Sequence, residues 1–375
     1  MNKIINKTAW FANGIANRVN AKKTEQRWRE DDKRQMQFVD LPELSEAEFE
    51  ELKRTWPFLN FKKNDVYWAR LYKKEYGFDP YFISSVNQCY QLRAKINPRS
   101  QVCSLENKAL VDIYFPGIPF PEVYVRRINN SFYDQEMNRI SFEEATTILK
   151  QKGSFIIKPS LGTMCGKGVK KYVIEDGKVV TREWFSEVFE GATSNFIAQE
   201  VLVQHPDISR LNPTSLNCCR ITSIYINGIY TYGAMLKIGK KGAHIDNWNS
   251  GYLVGINSDG SVKEKGWDDK LSPVYQTDNG IVFDSIQYPC FQELLQSIER
   301  YHKKYFPQCG IVGWDVIIDH QNMPKVIEAN LAIPGIPAEQ LCSGPFFQEV
   351  HDIDSLILVS CCLVSSVKSP SIIQL

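Results

Sequence analysis

The sequence predicts an α+β protein whose N-terminal region is mostly helical. Three helices are expected in the first third of the chain, the first of them beginning at Ser45 and Glu48, which have the spacing of a capping box. Ser141 and Glu144 have the same spacing and predict the start of a further helix. Further along, short apolar strands such as Phe155–Ile157 alternate with glycine and proline turns. A pair of apolar strands lies between residues 310 and 331. We therefore expect a helical region over 1–105 and two α+β regions over 106–200 and 201–375.

The composition is that of an ordinary globular protein without a strong charge bias. The 375 residues are 43% hydrophobic and 23% charged, and the formal net charge is +1. Because this charge is close to zero, it gives no reason to expect nucleic acid as a partner. The apolar run Leu356–Val364 is far shorter than the ~18 residues of a membrane span, so we expect no span. No export signal is evident, and a cytoplasmic location is predicted.

The cysteines and histidines give no sign of a disulfide framework or a zinc site. The 10 cysteines are scattered, contain no C-x-x-C pair and include the adjacent doublets Cys218-Cys219 and Cys361-Cys362. The 5 histidines are dispersed without any i, i+4 pair. We interpret the cysteines as reduced thiols that are mostly buried as small apolar side chains.

A glycine-rich loop follows the apolar strand at Phe155 and is the first candidate for chemistry. The stretch reads FIIKPSLGTMCGKGV and carries two lysines, Lys158 and Lys167. Glycines allow backbone N–H groups to close on an anion, and lysines add positive charge, so the loop suits a flap over nucleotide phosphates. An ordinary hairpin with a flexible tip is equally compatible with the loop alone. Its spacing fits neither a P-loop nor a dinucleotide-binding fingerprint.

The strand pair between residues 310 and 331 is the second candidate. In a hairpin with its turn near Asp319, Asp315 lies opposite Glu328, and Asn330 shares a strand face with Glu328. Two opposed acids would repel each other, and no cation is evident beside them. Oxygen ligands with this spacing suit Mg²⁺ bound to nucleotide phosphates. A solvent-facing strand pair whose acids never converge is the alternative.

Together these parts resemble the ATP-grasp superfamily, and more narrowly its sugar-transfer-associated branch. The resemblance extends from about Tyr76 to Gln340. Any one motif is weak, but six occur in the order expected for that family. They are NKALVDIYFPGIPFPEVY, FIIKPSLGTMCGKGV, IAQEVLVQHPDI, LNPTSLNCCRITS, DNWNSGY and GWDVIIDHQNMPKVIEANLAIPG.

The resemblance implies an ATP site. The implied nucleotide-binding residues are Lys108, Lys158, the flap residues Ser160, Gly162, Thr163, Gly166, Lys167, Gly168 and Val169, and the hinge residues Gln199, Glu200 and Val201. The hinge would hold the adenine edge. Two positions depart from the family pattern: Asn107 stands where aspartate is more usual, and Cys165 replaces the usual glycine of the flap.

The resemblance also implies catalytic and metal-binding residues. Arg220 would lie near the γ-phosphate and the acyl phosphate, and Lys237 stands where the family often has another arginine. Asp315, Glu328 and Asn330 match the magnesium ligands, the same set that the hairpin indicates. Substrate contacts are expected by position from His205, Asn217, Asp246, Asn247 and Gln340. No general base can be named; His205, His244 and Asp246 are candidates by position only.

The predicted activity is that of an ATP-dependent carboxylate–amine ligase that forms an amide through an acyl phosphate. ATP and Mg²⁺ are the expected cofactors. The expected partners are an amine and a sugar acid, either small or linked to a nucleotide or lipid, in capsule or cell-surface polysaccharide biosynthesis. Two alternatives stay open: a kinase acting on a sugar or polyol hydroxyl, and a non-catalytic ATP-binding subunit of a glycan assembly complex. A kinase adds a phosphate to its product, whereas a ligase releases it. The sequence does not indicate an oligomeric state.

Overall fold

The computed structural model describes residues 23–161, 168–173, 195–243, 246, 250–332 and 335–350. The chain divides into two compact units. The first comprises Met1–Lys95 with Ile336–Leu375, and the second comprises Ile96–Gly335. Both β-sheets lie in the second unit.

Helices form the described part of the first unit, as predicted. They span 23–36, Glu46–Thr55, Tyr67–Tyr76, Val86–Ile96 and Ile336–Ser343, with a 3₁₀ turn at Gln348–Val350. The predicted capping box is present: the Ser45 hydroxyl accepts from the Glu48 N–H, and the Glu48 carboxylate accepts from the Ser45 N–H. Aromatic side chains fill the core, where Tyr72 stacks on Phe82 with ring centroids 4.2 Å apart. The Tyr72 hydroxyl donates to the Pro337 carbonyl at 2.8 Å.

The first sheet of the second unit is antiparallel and has six strands. In the order β3-β2-β1-β6-β4-β5, the strands are β1 Val123–Ile128, β2 Ser131–Tyr133, β3 Arg139–Ile140, β4 Ser154–Pro159, β5 Lys170–Val173 and β6 Phe196–Gln199. The helix Phe142–Lys152, which begins at the predicted capping box of Ser141 and Glu144, packs on this sheet through Ala145 and Leu149. The glycine-rich stretch connects β4 to β5, and these two strands pair with each other.

Strand β6 lies in the middle of the first sheet. It pairs with β1 on one side and β4 on the other, and all four of its residues are buried. Because a central strand is fixed on both sides, the residues that follow β6 leave the sheet from a rigid position.

The second sheet is also antiparallel and has seven strands. In the order β11-β10-β9-β8-β7-β12-β13, the strands are β7 Cys219–Ile226, β8 Ile229–Gly239, β9 Gly251–Ile256, β10 Val262–Trp267, β11 Pro273–Val274, β12 Ile311–Ile318 and β13 Pro324–Asn330. The amphipathic helix Phe291–Tyr305 covers one face, where Leu294 and Ile298 pack in the same core as Trp314. All eight residues of β12 are buried, which agrees with its nearly continuous apolar sequence.

Short helices complete the second unit, at Arg99–Val102, Val111–Tyr114 and Pro206–Ser209, with a 3₁₀ turn at Phe283–Ser285. Each sheet takes its strands from one side of residue 200; the predicted boundaries at 105 and 200 nevertheless remain predictions. Within the described ranges, no helix is both long and apolar enough to cross a membrane.

Candidate functional site

The hairpin of β12 and β13 forms the centre of the candidate site. Asp315 pairs with Glu328 and Gly313 with Asn330, so the predicted opposition of the two acids is confirmed. A β-bulge follows, because the next pair joins Val316 to Val326 and Ile327 is the extra residue.

The bulge changes which side chains share a face. Ile317 pairs with Lys325, and Ile317 shares a face of β12 with Asp315. Lys325 and Glu328 therefore lie on the same face of β13, although they are three positions apart. In a regular strand they would lie on opposite faces.

Asp315 is buried and bound by two cations. Arg220, which is its register partner on β7, donates from Nε to Oδ1 at 2.9 Å and from Nη2 to Oδ2 at 2.8 Å. Lys237 on β8 places Nζ 2.9 Å from Oδ1. Burial by itself would raise the pKa of Asp315, but Arg220 and Lys237 hold it well below its ordinary value. Asp315 is therefore ionised at neutral pH.

A lysine also binds the second acid. The Nζ of Lys108 lies 2.7 Å from Oε1 of Glu328. The expectation that no cation stands beside the two opposed acids is therefore wrong. Lys108, Arg220 and Lys237 supply the positive charge. They come from a loop and two other strands, so their proximity follows from the sheet order and not from the hairpin.

Lys158 lies on β4 and is partly buried. Burial is the main cause that lowers its pKa; the carboxylate of Glu328 opposes this effect, and the ammonium of Lys108 adds to it. The loop of Lys108 is joined to the end of β4 because the Lys108 N–H donates to the Ser160 carbonyl at 3.0 Å. The Ser160 hydroxyl is buried and has no hydrogen-bond partner among the described residues. These contacts place both lysines near Glu328.

The flap is described only at its two ends. Gly162, Thr163, Gly166 and Lys167 lie outside the described residues. Gly168 has φ +79°, and a Cβ there would lie 2.9 Å from Cγ of Pro159. Only glycine suits this position, since it combines a left-handed backbone with a close approach to β4. Val169 then leads directly into β5.

Lys237 is also close to a second carboxylate. Its Nζ lies 3.8 Å from Oδ2 of Asp246, which accepts from the Cys218 N–H at 2.9 Å. Burial acts to lower the pKa of Lys237, but Asp246 and Asp315 raise it above its ordinary value. Lys237 therefore remains cationic at neutral pH. Asn247, the neighbour of Asp246 in the predicted substrate set, lies outside the described residues.

The predicted hinge follows β6. Gln199 is the last residue of β6 and is buried. The Glu200 carboxylate accepts through Oε1 from the Glu122 N–H at 3.0 Å and from Nζ of Lys325 at 2.9 Å. A cavity of about 450 Å³ lies against this segment, and its walls include Glu200, Val201, Val203, Asp319, Met323 and Lys325. Its volume is within the range of small-ligand sites.

Comparison with known families agrees with this geometry. The family model for sugar-transfer-associated ATP-grasp proteins matches residues 87–354. The chain belongs to this family. Membership confirms the predicted resemblance and the α+β ATP-grasp fold, with ATP as its nucleotide. The predicted class of enzyme, an ATP-dependent ligase, agrees with this family.

Solved structures similar to this ATP-grasp protein share little sequence with it. The D-alanyl-alanine synthetase A from Vibrio cholerae is 13% identical, with TM-score 0.41, over 70% of this chain and 67% of that one. The D-alanine-D-alanine ligase from Helicobacter pylori is 13% identical, with TM-score 0.38, over 73% of this chain and 63% of that one.

Several further similar structures are of the ATP-grasp ligase PsnB. One of them, complexed with minimal precursor, Mg and ADP, is 13% identical with TM-score 0.33 and covers 64% of this chain. The ATP-grasp protein spans 53% of that structure's chain. No curated protein matches the chain.

Three predicted substrate residues make contacts within the protein. Nδ1 of His205 accepts from the Asp207 N–H at 3.2 Å and caps the helix Pro206–Ser209. The Asn217 amide donates to the Ile208 carbonyl at 2.9 Å. Gln340 lies in the first unit, where its Oε1 accepts from the Ile83 N–H at 3.2 Å. These contacts hold all three side chains within the protein fold, and their roles as substrate ligands remain predictions.

Two residues that sequence reasoning missed fix the end of β13. Oε1 of Glu106 accepts from the N–H groups of Leu331 at 2.6 Å and Ala332 at 2.8 Å. The buried Asn97 amide donates to the carbonyls of Ile311 at 2.6 Å and Leu331 at 3.0 Å. Both act directly beside Asn330. No local sequence signal could reveal them, because Glu106 and Leu331 are 225 positions apart.

The third missed residue is Arg126 on β1, which is fully buried. It donates from Nε to the Ala109 carbonyl at 3.0 Å and is paired with Asp112. Because Ala109 follows Lys108 directly, this contact fixes the loop that carries the lysine. Its sequence context is an ordinary strand, in which an arginine would be expected to face solvent.

The donor set at β12 and β13 fits a magnesium ion. Asp315, Glu328 and Asn330 offer the hard oxygen ligands that Mg²⁺ prefers. The Asn330 amide group lies 3.3 Å from Oδ2 of Asp315, and exchange of its nitrogen and oxygen would turn the oxygen toward that carboxylate. The described residues contain no group of three or more His, Cys, Asp or Glu that could hold a metal. Mg²⁺ bound by one or two carboxylates commonly takes phosphate oxygens of a nucleotide and water as its other ligands.

Proposed function

We propose that the protein is an ATP-dependent carboxylate–amine ligase. The observation that supports this most strongly is the cluster of cations around two acids. Lys108 contacts Glu328, while Arg220 and Lys237 both contact Asp315. In a family that binds ATP, such a cluster suits the transfer of a phosphoryl group, which depends on positioning and on neutralising charge.

Each cationic residue has a role in the proposed reaction. Lys108 and Lys158 would bind the nucleotide phosphates, with the flap between β4 and β5 above them. Arg220 would stabilise the transferred phosphoryl group. Lys237 would bind both Asp315 and the carboxylate of the substrate, which would fix their relative position. Asp315, Glu328 and Asn330 would hold Mg²⁺, which neutralises phosphate charge when bound.

The proposed reaction has two steps. First, an oxygen of the substrate carboxylate forms a bond to the γ-phosphorus, and the bond from that phosphorus to ADP breaks. The amine nitrogen then attacks the acyl carbon and phosphate leaves, so one amide, one ADP and one phosphate form. The nitrogen must lose a proton during the second step. Asp246 is a candidate to accept it, because it lies 3.8 Å from Lys237 beside the cationic cluster.

The family description, which associates these proteins with sugar transfer, supports a sugar-derived substrate. We propose that the acid is a uronic acid or related sugar acid, free or linked to a nucleotide or lipid, used in capsule or cell-surface polysaccharide biosynthesis. We also propose a cytoplasmic location, where ATP is available. The described cysteines are all free thiols, which is compatible with a reducing compartment.

Mass spectrometry of the reaction products tests this proposal. The protein would be incubated with ATP, Mg²⁺, a panel of nucleotide-linked uronic acids and a pool of amines. We expect one acid to gain the mass of an amine minus water, with equal release of ADP and phosphate. A product that gains one phosphate would instead show a kinase. ATP binding without turnover of any pair would contradict the proposed substrate class.

A further inference from the structure

We propose that Lys325 is a positioning residue that orients the Glu200 carboxylate to recognise the base of the nucleotide. This inference rests on the proposed function, because it requires ATP to bind with its base against the segment after β6. No sequence signal assigns a role to Lys325. Its position follows from the bulge at Ile327, which turns Lys325 toward the face that carries Asp315 and Glu328.

The contacts of Glu200 leave one carboxylate oxygen available. Lys325 and the Glu122 N–H both donate to Oε1, at 2.9 and 3.0 Å. No described residue donates to Oε2. The side chains of Lys325 and Glu200 are 25% and 23% exposed, so the pair lies at the protein surface but is not free to move as two solvated side chains would be. Lys325 therefore restricts the directions in which Oε2 can point.

The cavity beside this pair has the character of a site for a flat heterocycle. Its walls include the apolar side chains of Val203 and Met323, which are 58% and 56% exposed. Two chain segments that border it are joined by backbone hydrogen bonds, since His320 N–H donates to the Val203 carbonyl at 3.0 Å. Glu200 and Lys325 add one carboxylate and one ammonium to this apolar surface. The cavity therefore combines apolar walls with a charged edge at Glu200 and Lys325, and the polar residues Asp319, His320 and Gln321 also line it.

The chemistry of the charged edge favours adenine over guanine. An ionised carboxylate only accepts hydrogen bonds. Adenine carries an amino group at C6, which donates, whereas guanine carries a carbonyl oxygen there. An oriented Oε2 would bind the former and repel the latter. A site that hydrogen-bonds one ligand group discriminates strongly against a ligand that lacks it.

Binding of ADP and GDP tests the proposal without any acid or amine. The affinities of both would be measured by calorimetry for the wild type and for Lys325→Met. We expect the variant to bind ADP about three- to tenfold more weakly, because a partly buried ion pair that orients Glu200 is lost. Affinity for GDP should change less, so the preference for ADP should fall. Lys325→Arg should restore the preference for ADP. Lys303→Met removes an exposed ion pair with Glu299 on a distant helix and should change neither affinity.

A double-mutant cycle separates positioning from a structural effect. Glu200→Gln should weaken ADP binding, and adding Lys325→Met to it should have less than about a twofold further effect, because Lys325 acts through Glu200. An equal loss in both backgrounds, or an unchanged preference for ADP, would overturn the proposal. Melting temperatures would confirm that all variants fold. ADP binding as expected without any amide product would refute the ligase and leave the role of Lys325 standing. A wild type that binds neither nucleotide would overturn both.

Discussion

Glu328 shows how single contacts determine when a metal can enter the site. Its Oε1 is bound by Lys108 at 2.7 Å, and Asp315 is bound by Arg220 and Lys237. A divalent cation would have to compete with these protein cations for the same oxygens. Nucleotide phosphates would attract the lysines and the arginine, which would free the carboxylates. We therefore expect magnesium to bind together with the nucleotide and only weakly before it.

Lys108→Met tests this expectation. The change removes the cation from Glu328, so affinity for Mg²⁺ without nucleotide should rise several-fold, while affinity for ADP should fall about tenfold because a phosphate ligand is lost. Calorimetry with Mg²⁺ alone and with ADP alone measures both. Lys303→Met is the matched control and should alter neither. Equal Mg²⁺ affinity in the wild type and Lys108→Met would refute the competition.

Gly168→Ala tests the tight approach between the flap and β4. Gly168 and Gly280 both have positive φ, at +79° and +77°, but only Gly168 would place a Cβ against Pro159. Each alanine should cost roughly 1–2 kcal/mol of stability from its backbone conformation. Gly168→Ala should cost more and should also weaken ADP binding, because Pro159 or the loop must shift. Urea unfolding and calorimetry compare the two variants. Similar ADP affinities in Gly168→Ala and Gly280→Ala would show that the approach to Pro159 has no effect on binding.

At the scale of elements, one polar cluster joins the helix Phe291–Tyr305 to the second sheet. Ser223 on β7 contacts Nδ1 of His302 at 2.7 Å and accepts from Nε1 of Trp314 at 2.8 Å. Nε2 of His302 lies 2.9 Å from the Cys309 carbonyl. Every polar atom here has a partner, so the cluster stabilises a specific packing of helix on sheet. Burial lowers the pKa of His302 to about 4 from 6.5.

This pKa predicts a loss of stability in mild acid. The unfolded chain binds a proton at His302 near pH 6.5, whereas the folded protein does so only near pH 4. The contribution of His302 to the free energy of unfolding is therefore fully present above pH 6.5. It falls by up to about 3 kcal/mol as the pH drops from 6.5 to about 4. Urea unfolding at several pH values should show the fall. His302→Gln should remove most of the slope between these values, and an unchanged slope would contradict the prediction.

The elements themselves were predictable where their signals are local. The capping boxes at Ser45 and Ser141 correctly located two helices, and the turn expected near Asp319 correctly gave the β12–β13 pairing. The central position of β6 was not predictable, because a strand's neighbours depend on the sheet order. The cations around Asp315 were missed as a cluster for the same reason. The sequence does not indicate the bulge at Ile327, since neither glycine nor proline occurs there.

At the scale of the whole molecule, the two compact units carry buried groups whose responses to pH differ in sign. His302 belongs to the second unit, and Asp32 belongs to the first. Burial raises the pKa of Asp32 from 3.8 to about 7, against the opposing effect of the N–H groups of Trp68 and Val86. The folded state binds this proton more tightly than the unfolded state does. The contribution of Asp32 to the free energy of unfolding is therefore fully present below pH 3.8 and is lost as the pH rises through about 7.

Asp32→Asn should therefore change the pH response of the first unit. In the wild type, the free energy of opening of the helix Tyr67–Tyr76 should fall between pH 4 and pH 8, by up to about 4 kcal/mol. The variant lacks the titrating group, so this fall should be smaller. Hydrogen exchange of that helix, corrected for intrinsic rates, measures the difference. His302→Gln is the control, because it alters only the second unit. The same fall in Asp32→Asn and in the wild type would refute the assignment of this pH dependence to Asp32.

The extra residue of β13 also determines how the strand can tolerate a change of length. In the pairing with β12, Lys325 and Glu328 lie opposite Ile317 and Asp315, which are two residues apart and therefore about 7 Å from each other. The bulge takes up the additional residue as a local bend and does not add to this spacing. Deleting Ile327 would thus restore a regular strand in the same register, with Lys325 and Glu328 still on one face. Deleting a residue from a regular part of β13 would instead exchange the two faces of everything on one side of it.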